Sequence, residues 1–356
     1  MNPVTVISPS LSGNAVGRAI VFVDLLSALR PVVLVGRSSG PLWLPLATRT
    51  DIDVVDLGSS QLPSAGLRRR LRDSTTVAVK PLASSYGQWL LSPGRGPAIL
   101  DIDDPELALA AMDLRTLARS ATRLDGVLIP AMIALRGRAN AVTVASSALQ
   151  RRYGGVVIPH ARQAHLSSTD RASRSSARAM LGLEPDRPLV VFVGTIRPHK
   201  GVDLLIACAD RIGNARIAVV GVDRPLEAPD SVMIVPPVEY GDALRWIAAA
   251  DVVAIPQRDG WIGRLQAPAK AVDALSMGRA IVASDVPPIR EMIAEAGHLV
   301  KSGSVDALAD GINLVLGDIT LRERLEERAR TRFLERYSID AVRPTMRLVL
   351  EAAEAA

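Results

Sequence analysis

The stretch Leu189 to Gly201, LVVFVGTIRPHKG, constrains this chain more than any other. Five consecutive apolar residues, Leu189, Val190, Val191, Phe192 and Val193, suit a parallel strand covered on both faces, because a half-exposed strand would alternate. Gly194 ends the run. After Gly201 the apolar residues recur at Val202, Leu205, Ile206 and Ala209, the spacing of one helical face, with Asp203 in the first turn where an acid complements the helix dipole. The order strand, loop, helix puts Arg197 and Lys200 at the carboxyl end of a parallel strand. Open α/β sheets take their ligands there, and a helix N-terminus favours phosphate. Arg197 can grip two phosphate oxygens in a fork, and Lys200 adds a mobile point charge. The plainer alternative is two solvated basic residues in a surface loop. Only four of the 42 basic residues are lysines (Lys80, Lys200, Lys270 and Lys301), so a lysine in this chain marks more than a generic positive charge.

The same alternation runs along the whole chain. In the first half, candidate strands are Val4–Ile7, Val32–Val35, Val54-Val55, Thr76–Val79, Ala98–Leu100, Gly126–Ile129 and Ala141–Val144, with a glycine-bearing loop Gly13-Asn14-Ala15-Val16-Gly17 before a helix over Ala19–Leu29. A second series follows at Leu189–Val193, Ala215–Val220, Ser231–Val235, Val252–Ile255 and Ala280–Ala283. The polar, Ser- and Arg-rich stretch Arg162–Arg178 separates the two series and reads as a linker. A charged amphipathic helix is predicted over Leu321–Leu334, and a last helix from Ser338 to the end. A chain of 356 residues fits two α/β domains, 1–165 and 166–337, with the helix at about 338–356 expected to pack back on the first.

Several function classes lose support. No apolar run reaches the roughly 18 to 20 residues that span a bilayer. The N-terminus enters a strand with no basic region before an apolar core, so the expectation is a cytoplasmic protein. Cys208 cannot pair internally and reads as a buried helical thiol. Aromatics make up 3% of the chain, too few to furnish base-stacking platforms, and no nucleic-acid motif is present. His160, His165, His199 and His298 lack the spacing of a zinc face, and there is no G-x-S-x-G elbow. Residues 1–165 carry 18 Lys and Arg against 11 Asp and Glu, whereas the remainder has 24 against 26. The densest basic cluster, Arg68, Arg69, Arg70 and Arg72, shares a predicted helix with Leu67 and Leu71. It offers either a solvated face or a contact with an anionic membrane surface.

Three further motifs carry chemistry. Gly13–Gly17 lacks the third glycine of a dinucleotide fingerprint, and no acid ends the second strand, so nicotinamide binding is not expected. In PAILDIDDPE, Asp101, Asp103 and Asp104 follow a short strand; they could hold a metal, N-cap a helix at Asp103 or Asp104 before Pro105, or serve as a general base or in contact with an acceptor hydroxyl. Lys80 ends the preceding strand and points to the same rim. In the second half, Pro268 opens a helix that Gly278 closes, and Lys270 and Asp273 lie three apart on it. That spacing gives either a surface ion pair or a carboxylate free to hold a ribose.

These segments resemble the retaining glycosyltransferases of family GT4. Val190–Gly201 is similar to the family's FVGxxxxxKG segment, and Ala250–Pro256 and Pro268–Asp285 resemble its second half, PxKxxExxAxGxPVVASD. The opening strand and glycine loop, DIDDPE and Val142–Pro159 match more loosely. The resemblance implies a GT-B fold of two Rossmann-like domains facing across a cleft, and metal-independent transfer of a hexose from a nucleotide-diphosphate sugar with retention and without a cofactor. It implies that Arg197 and Lys200 neutralise the departing diphosphate and that Gly194, Lys270, Asp273 and Gln266 complete the donor site. Asp273 stands where the family has the second glutamate of its E-x7-E motif. The first would fall at Leu265, with Asp259 and Gln266 as nearby polar residues. On the acceptor side the family's histidine has no match, and Asp103 or Asp104 occupies that region beside Gly13, Asn14 and Lys80. The implied acceptor is a sugar, a lipid-linked molecule or a small molecule. The rivals are a GT-B epimerase or phosphorylase and a degenerate GT-B subunit that binds nucleotide without transferring sugar.

Overall fold

The computed structural model describes residues 2–58, 62–114, 122–167 and 173–356. It divides into two compact units, one running to His160 and including Val342–Ala356, the other comprising Ala161–Ala341. Part of the linker expected over 162–178, residues 168–172, lies outside the described residues. Arg162 already belongs to the second unit: its backbone N–H donates to Tyr337 at 2.9 Å and its carbonyl accepts from Ile339 at 2.8 Å.

The first unit is built on seven parallel strands: β1 Val4–Ile7, β2 Val32–Gly36, β3 Asp53–Asp56, β4 Thr75–Val79, β5 Ala98–Ile102, β6 Ala141–Val144 and β7 Val156–Val157, in the order β3-β2-β1-β4-β5-β6-β7. The chain builds outward from β1 in one direction and then returns to add β4 on its other side. That reversal creates a crevice at the strands' carboxyl ends. β1, β4 and β5 are buried at every position, so they lack the polar–apolar alternation of a half-exposed strand, and the polar side chains they do carry, Thr5, Thr75, Thr76 and Asp101, are buried with them. The last helix, Ile339–Ala355, is tied to this unit by Arg343, which donates to the carbonyl of Leu25, and by Glu354, which accepts from Thr75 at 3.0 Å.

One expected strand is a helix. Gly126–Ile129 lies within the helix Thr122–Ala134. β5 pairs directly with β6, leaving no slot for another strand between them, and Pro130 cannot donate to a sheet ladder. The first helix, Val16–Leu26, also begins earlier than its apolar spacing indicates, because Val16 donates to Gly13 and opens the helix inside the glycine loop.

The second unit contains β8 Leu189–Val193, β9 Arg216–Val220, β10 Val232–Val235, β11 Val252–Ile255, β12 Ala280–Ser284 and β13 Gly297–Val300, parallel throughout in the order β10-β9-β8-β11-β12-β13. Here the reversal falls between β8 and β11. Val190 and Phe192 join Leu205, Leu308 and Ile312 in a core between the sheet and its flanking helices.

A buried ion pair fastens the first helix to β5. Arg18, 2% exposed, donates through Nε and Nη2 to the two carboxylate oxygens of Asp101 at 2.9 and 2.8 Å, and through Nη2 and Nη1 to the carbonyls of Ile158 and Pro159. Thr143 donates to Asp101 as well, at 2.8 Å. Removing one partner leaves the other charge buried and unanswered. Asp101→Ala is therefore expected to cost roughly 3–5 kcal/mol of stability, read as a lower urea midpoint; a midpoint within error of the wild type would contradict this.

Candidate functional site

The crevice between β8 and β11 is made by two loops pressed together backbone to backbone. After β8 the chain turns through Arg197, a single 3-10 turn at Pro198–Lys200, and Gly201 in the left-handed region at φ 67°. A Cβ on Gly201 would lie 2.0 Å from the carbonyl oxygen of Pro256, just past β11, so only glycine allows this approach. The N–H of Arg258 donates to the carbonyl of His199 at 2.8 Å, and the Arg258 guanidinium pairs with Asp203. The second loop has its own anchor in buried Gln257, whose Nε2 donates to the carbonyls of Gly263 at 2.9 Å and Gln266 at 3.1 Å. Ser302 closes it, accepting from the N–H of Asp259 and donating to the carbonyl of Gln257.

On this frame Arg197 is exposed and has no side-chain hydrogen bond among the described residues. Lys200 Nζ donates to the carbonyl and hydroxyl of Thr195 at 3.0 and 2.7 Å, which fixes it beside the strand end. Lys270, from the helix Ala269–Ser276 that follows the β11 loop, brings its Nζ to 3.4 Å from the centroid of the Phe192 ring and close to Gly194. The sequence-predicted donor residues Gly194, Lys200 and Lys270 thus meet at one strand end.

Asp273 does not form the surface ion pair with Lys270 that its spacing allowed. Its Oδ1 accepts from Arg162 Nε at 2.7 Å and from the Tyr240 hydroxyl at 2.9 Å, so its ion pair is with Arg162 rather than Lys270. Burial drives the Tyr240 phenol far above its ordinary value, so it stays a donor. The Arg162 guanidinium is raised despite its burial, because Asp273 and Tyr240 face it. Neither Arg162 nor Tyr240 carried a sequence signal. Gln266 contributes its carbonyl to the Gln257 anchor, and Asp259 pairs bidentately with Arg264 at 2.6 and 2.9 Å.

At the β1/β4 crevice of the first unit, Gly13 and Asn14 accept from Val16 and Gly17 and start the first helix. Lys80 follows β4 with φ 69°, unusual for a residue with a side chain. Its Nζ lies 3.0 Å from Asp103, 2.7 Å from Asp104 and 2.5 Å from Glu106. Burial alone would lower the Lys80 ammonium, but the three carboxylates outweigh it and hold it well above its ordinary value. Burial pushes the Asp103 carboxyl up to about 7, with Asp104 and Asp101 adding to the rise and Lys80 opposing it. Glu106, which the sequence reading did not include, is raised by burial too. Asp103, Asp104 and Glu106 have the clustering of metal ligands, yet the Lys80 ammonium already sits among their oxygens and fills the cation's place. Together Arg18 and Lys80 face four carboxylates. This rim is locally anionic although the first half of the chain is net basic.

The basic helix is Ala65–Arg72, with Leu67 and Leu71 buried and Arg68, Arg69 and Arg72 exposed. Its apolar side is used by the protein's own core. Among the described residues no helix is long and apolar enough to cross a membrane.

Residues 187–318 match the family described as glycosyl transferases group 1. A D-inositol 3-phosphate glycosyltransferase of Xylanimonas cellulosilytica is 32% identical over 46% of this chain and 42% of its own length. One from a Mycobacterium species is 33% identical over 44% of this chain and 39% of its own. The match thus spans about two fifths of those curated relatives. Among solved structures, sucrose-phosphate synthase from Thermosynechococcus elongatus aligns over the whole of both chains with a TM-score of 0.72 and 18% identity. Anabaena HepE, solved in complex with UDP-glucose, aligns over 99% of this chain and all of its own with a TM-score of 0.75 and 16% identity. The fold is GT-B.

The Asp103 carboxyl gives the first unit a pH signature. Its folded value, about 7, lies above its ordinary value in an unfolded chain, so the native state holds the extra proton. The stabilisation is full below about pH 4 and is lost as pH rises through about 7. Asp103→Asn is expected to flatten the fall in urea midpoint between those pH values; an unchanged slope would contradict the assignment.

Proposed function

We propose that the protein is a glycosyltransferase that moves a hexose from a nucleotide-diphosphate sugar to an acceptor hydroxyl, with retention and without a metal or other cofactor. The observation that carries this reading is the Arg197 to Gly201 turn at the β8/β11 crevice. It presents an exposed guanidinium and a fixed ammonium at a strand end where anionic ligands bind. The group 1 match over the same unit supports the reading, as does the similarity to a protein solved with UDP-glucose.

In this mechanism Arg197 forks onto the diphosphate and Lys200 neutralises the charge that develops as the bond to the sugar breaks. A well-placed preorganised donor contributes roughly 3–4 kcal/mol of barrier lowering. Because Thr195 already holds Lys200, little reorganisation is required when the leaving group departs. Asp273 receives the ribose hydroxyls, its carboxylate oriented by Arg162 and Tyr240. On the acceptor side, the anionic rim of Asp103 and Asp104 takes the incoming hydroxyl as hydrogen-bond acceptors, with Gly13, Asn14 and Lys80 around it. A neutral or cationic polyol suits this rim better than an acidic one. The exposed arginines of Ala65–Arg72 suit a lipid-linked acceptor at an anionic membrane surface.

Calorimetric titration with UDP, GDP, ADP and dTDP tests the donor site. One nucleotide is expected to bind, with Lys200→Ala weakening it roughly ten- to a hundred-fold, as loss of a charge-assisted hydrogen bond does. Unchanged affinity in the variant would contradict the diphosphate assignment. Nucleotide binding without sugar transfer to any acceptor would favour a degenerate subunit.

A further inference from the structure

A cavity of about 110 Å³ opens at the far end of the second sheet from the candidate donor site. Its lining takes in Leu189, the first residue of β8, Arg216, the first of β9, and Met233, near the start of β10. Leu189 and Arg216 are partners in the sheet register. Arg197 and Lys200 follow the carboxyl end of β8, so the length of that strand separates the two places. The rest of the lining comes from the helix Arg174–Met180 and the turn that leads from it into β8.

Three arginines line this cavity, and two of them are occupied. Arg178 donates through Nε to the carbonyl of Ala249 at 3.0 Å, through Nη1 to that of Pro185, and through Nη2 to Asp251, which neutralises it. Arg187 donates through Nε to the carbonyl of Asn214 at 2.9 Å and through Nη1 to Glu184 at 3.4 Å. These bonds fix the walls, one holding the turn to the helix and the other holding it to the loop before β9. Arg216 is the exception. Its Nη1 meets the sulfur of Met233 at 3.8 Å, a weak acceptor, and its Nε is closed off from water with no hydrogen-bond partner. No carboxylate pairs with Arg216 among the described residues. Glu184 is the one carboxylate of the lining; it stands beside Arg187 with its side chain 62% exposed, which leaves Arg216 unneutralised.

A void walled by Leu183, Leu189 and Met233 alone would stay dry, and a guanidinium among them changes what fits. A buried donor left unanswered is costly, and the guanidinium fork matches two oxygens of a phosphate or carboxylate. An engineered cavity of about 150 Å³ takes a benzene ring, so this one suits an anionic group with a few carbons. We propose that the cavity binds a small oxyanion with a short apolar tail, its oxygens on Arg216 and its tail against Leu183, Leu189 and Met233. The site is separate from the donor site and does not depend on the sugar-transfer reading.

The test is calorimetric titration of inorganic phosphate, butyrate and butyl phosphate, at constant ionic strength, into the full chain as wild type, Arg216→Met, Arg216→Gln and Lys200→Ala. Hydrogen exchange with and without the tightest of the three places it on the chain. Butyl phosphate or butyrate is expected to bind more tightly than inorganic phosphate, and whichever binds better identifies the anionic group as a phosphate ester or a carboxylate. Binding is expected to slow exchange in residues 181–187, to weaken roughly ten-fold or more in both Arg216 variants and to be unchanged in Lys200→Ala. Arg216→Met removes an unpaired charge beside Met233, so its melting temperature is expected to equal or exceed that of the wild type. Arg216→Gln keeps a polar end without the charge, should the methionine variant fold poorly. Failure of all three compounds to bind, or binding that both Arg216 variants retain, would overturn the inference. So would binding that Lys200→Ala alone removes, which would move the anion to the donor site.

Discussion

The close approach of Gly201 to the carbonyl of Pro256 is the constraint on which the candidate donor site depends. Strands β8 and β11 are neighbours in the sheet, and the loops that leave them are in backbone contact. They meet because position 201 has no side chain and takes a left-handed conformation. From that meeting follow the hydrogen bond from Arg258 to His199 and the fixed start of the helix bearing Lys270 and Asp273. A larger residue would push the loops apart and move the cations relative to one another. A shift of about 1 Å is enough to spoil a site whose work is electrostatic preorganisation.

The two crevices carry opposite charge. At the β8/β11 crevice, Lys270 faces Lys200 and Asp273, and that carboxylate is engaged by Arg162. At the β1/β4 crevice, Lys80 and Arg18 are outnumbered by Asp101, Asp103, Asp104 and Glu106. The net charge of each half of the chain predicts neither arrangement. Some arginines serve structure, as Arg178 does in binding Asp251. Three of the four lysines, Lys80, Lys200 and Lys270, stand at the two crevices.

The strands were legible where the sheet is buried on both faces. β8 and β11 announce themselves as unbroken apolar runs because neither face meets water. β13 was not legible, since Gly297, His298 and Leu299 are only half-buried and lack both a run and an alternation. Gly126–Ile129 read as a strand because a short apolar run looks the same in a helix; the sheet's pairing, which no local pattern encodes, decides between them. In the site, Arg197, Lys200 and Lys270 could be read because they sit in loops and helix starts with their own glycine and proline punctuation. Arg162 and Tyr240 could not, being 111 and 33 residues from the Asp273 they hold, and their pairing exists only once the second unit has folded. Glu106 was missed because its burial beside Lys80 depends on the conformation of the Asp103 to Pro105 turn.

The central claim is that a nucleotide diphosphate lies against the turn after β8 and the start of the helix after the β11 loop. Hydrogen exchange measured with and without a bound nucleotide sugar such as UDP-glucose tests it most directly, because it reports where backbone amides become protected without any mutation. Slowed exchange confined largely to residues 194–203 and 257–273 is the predicted result. Protection that appears only in residues 2–58 and 62–114, or a ligand that binds and leaves both loops exchanging as before, would contradict it.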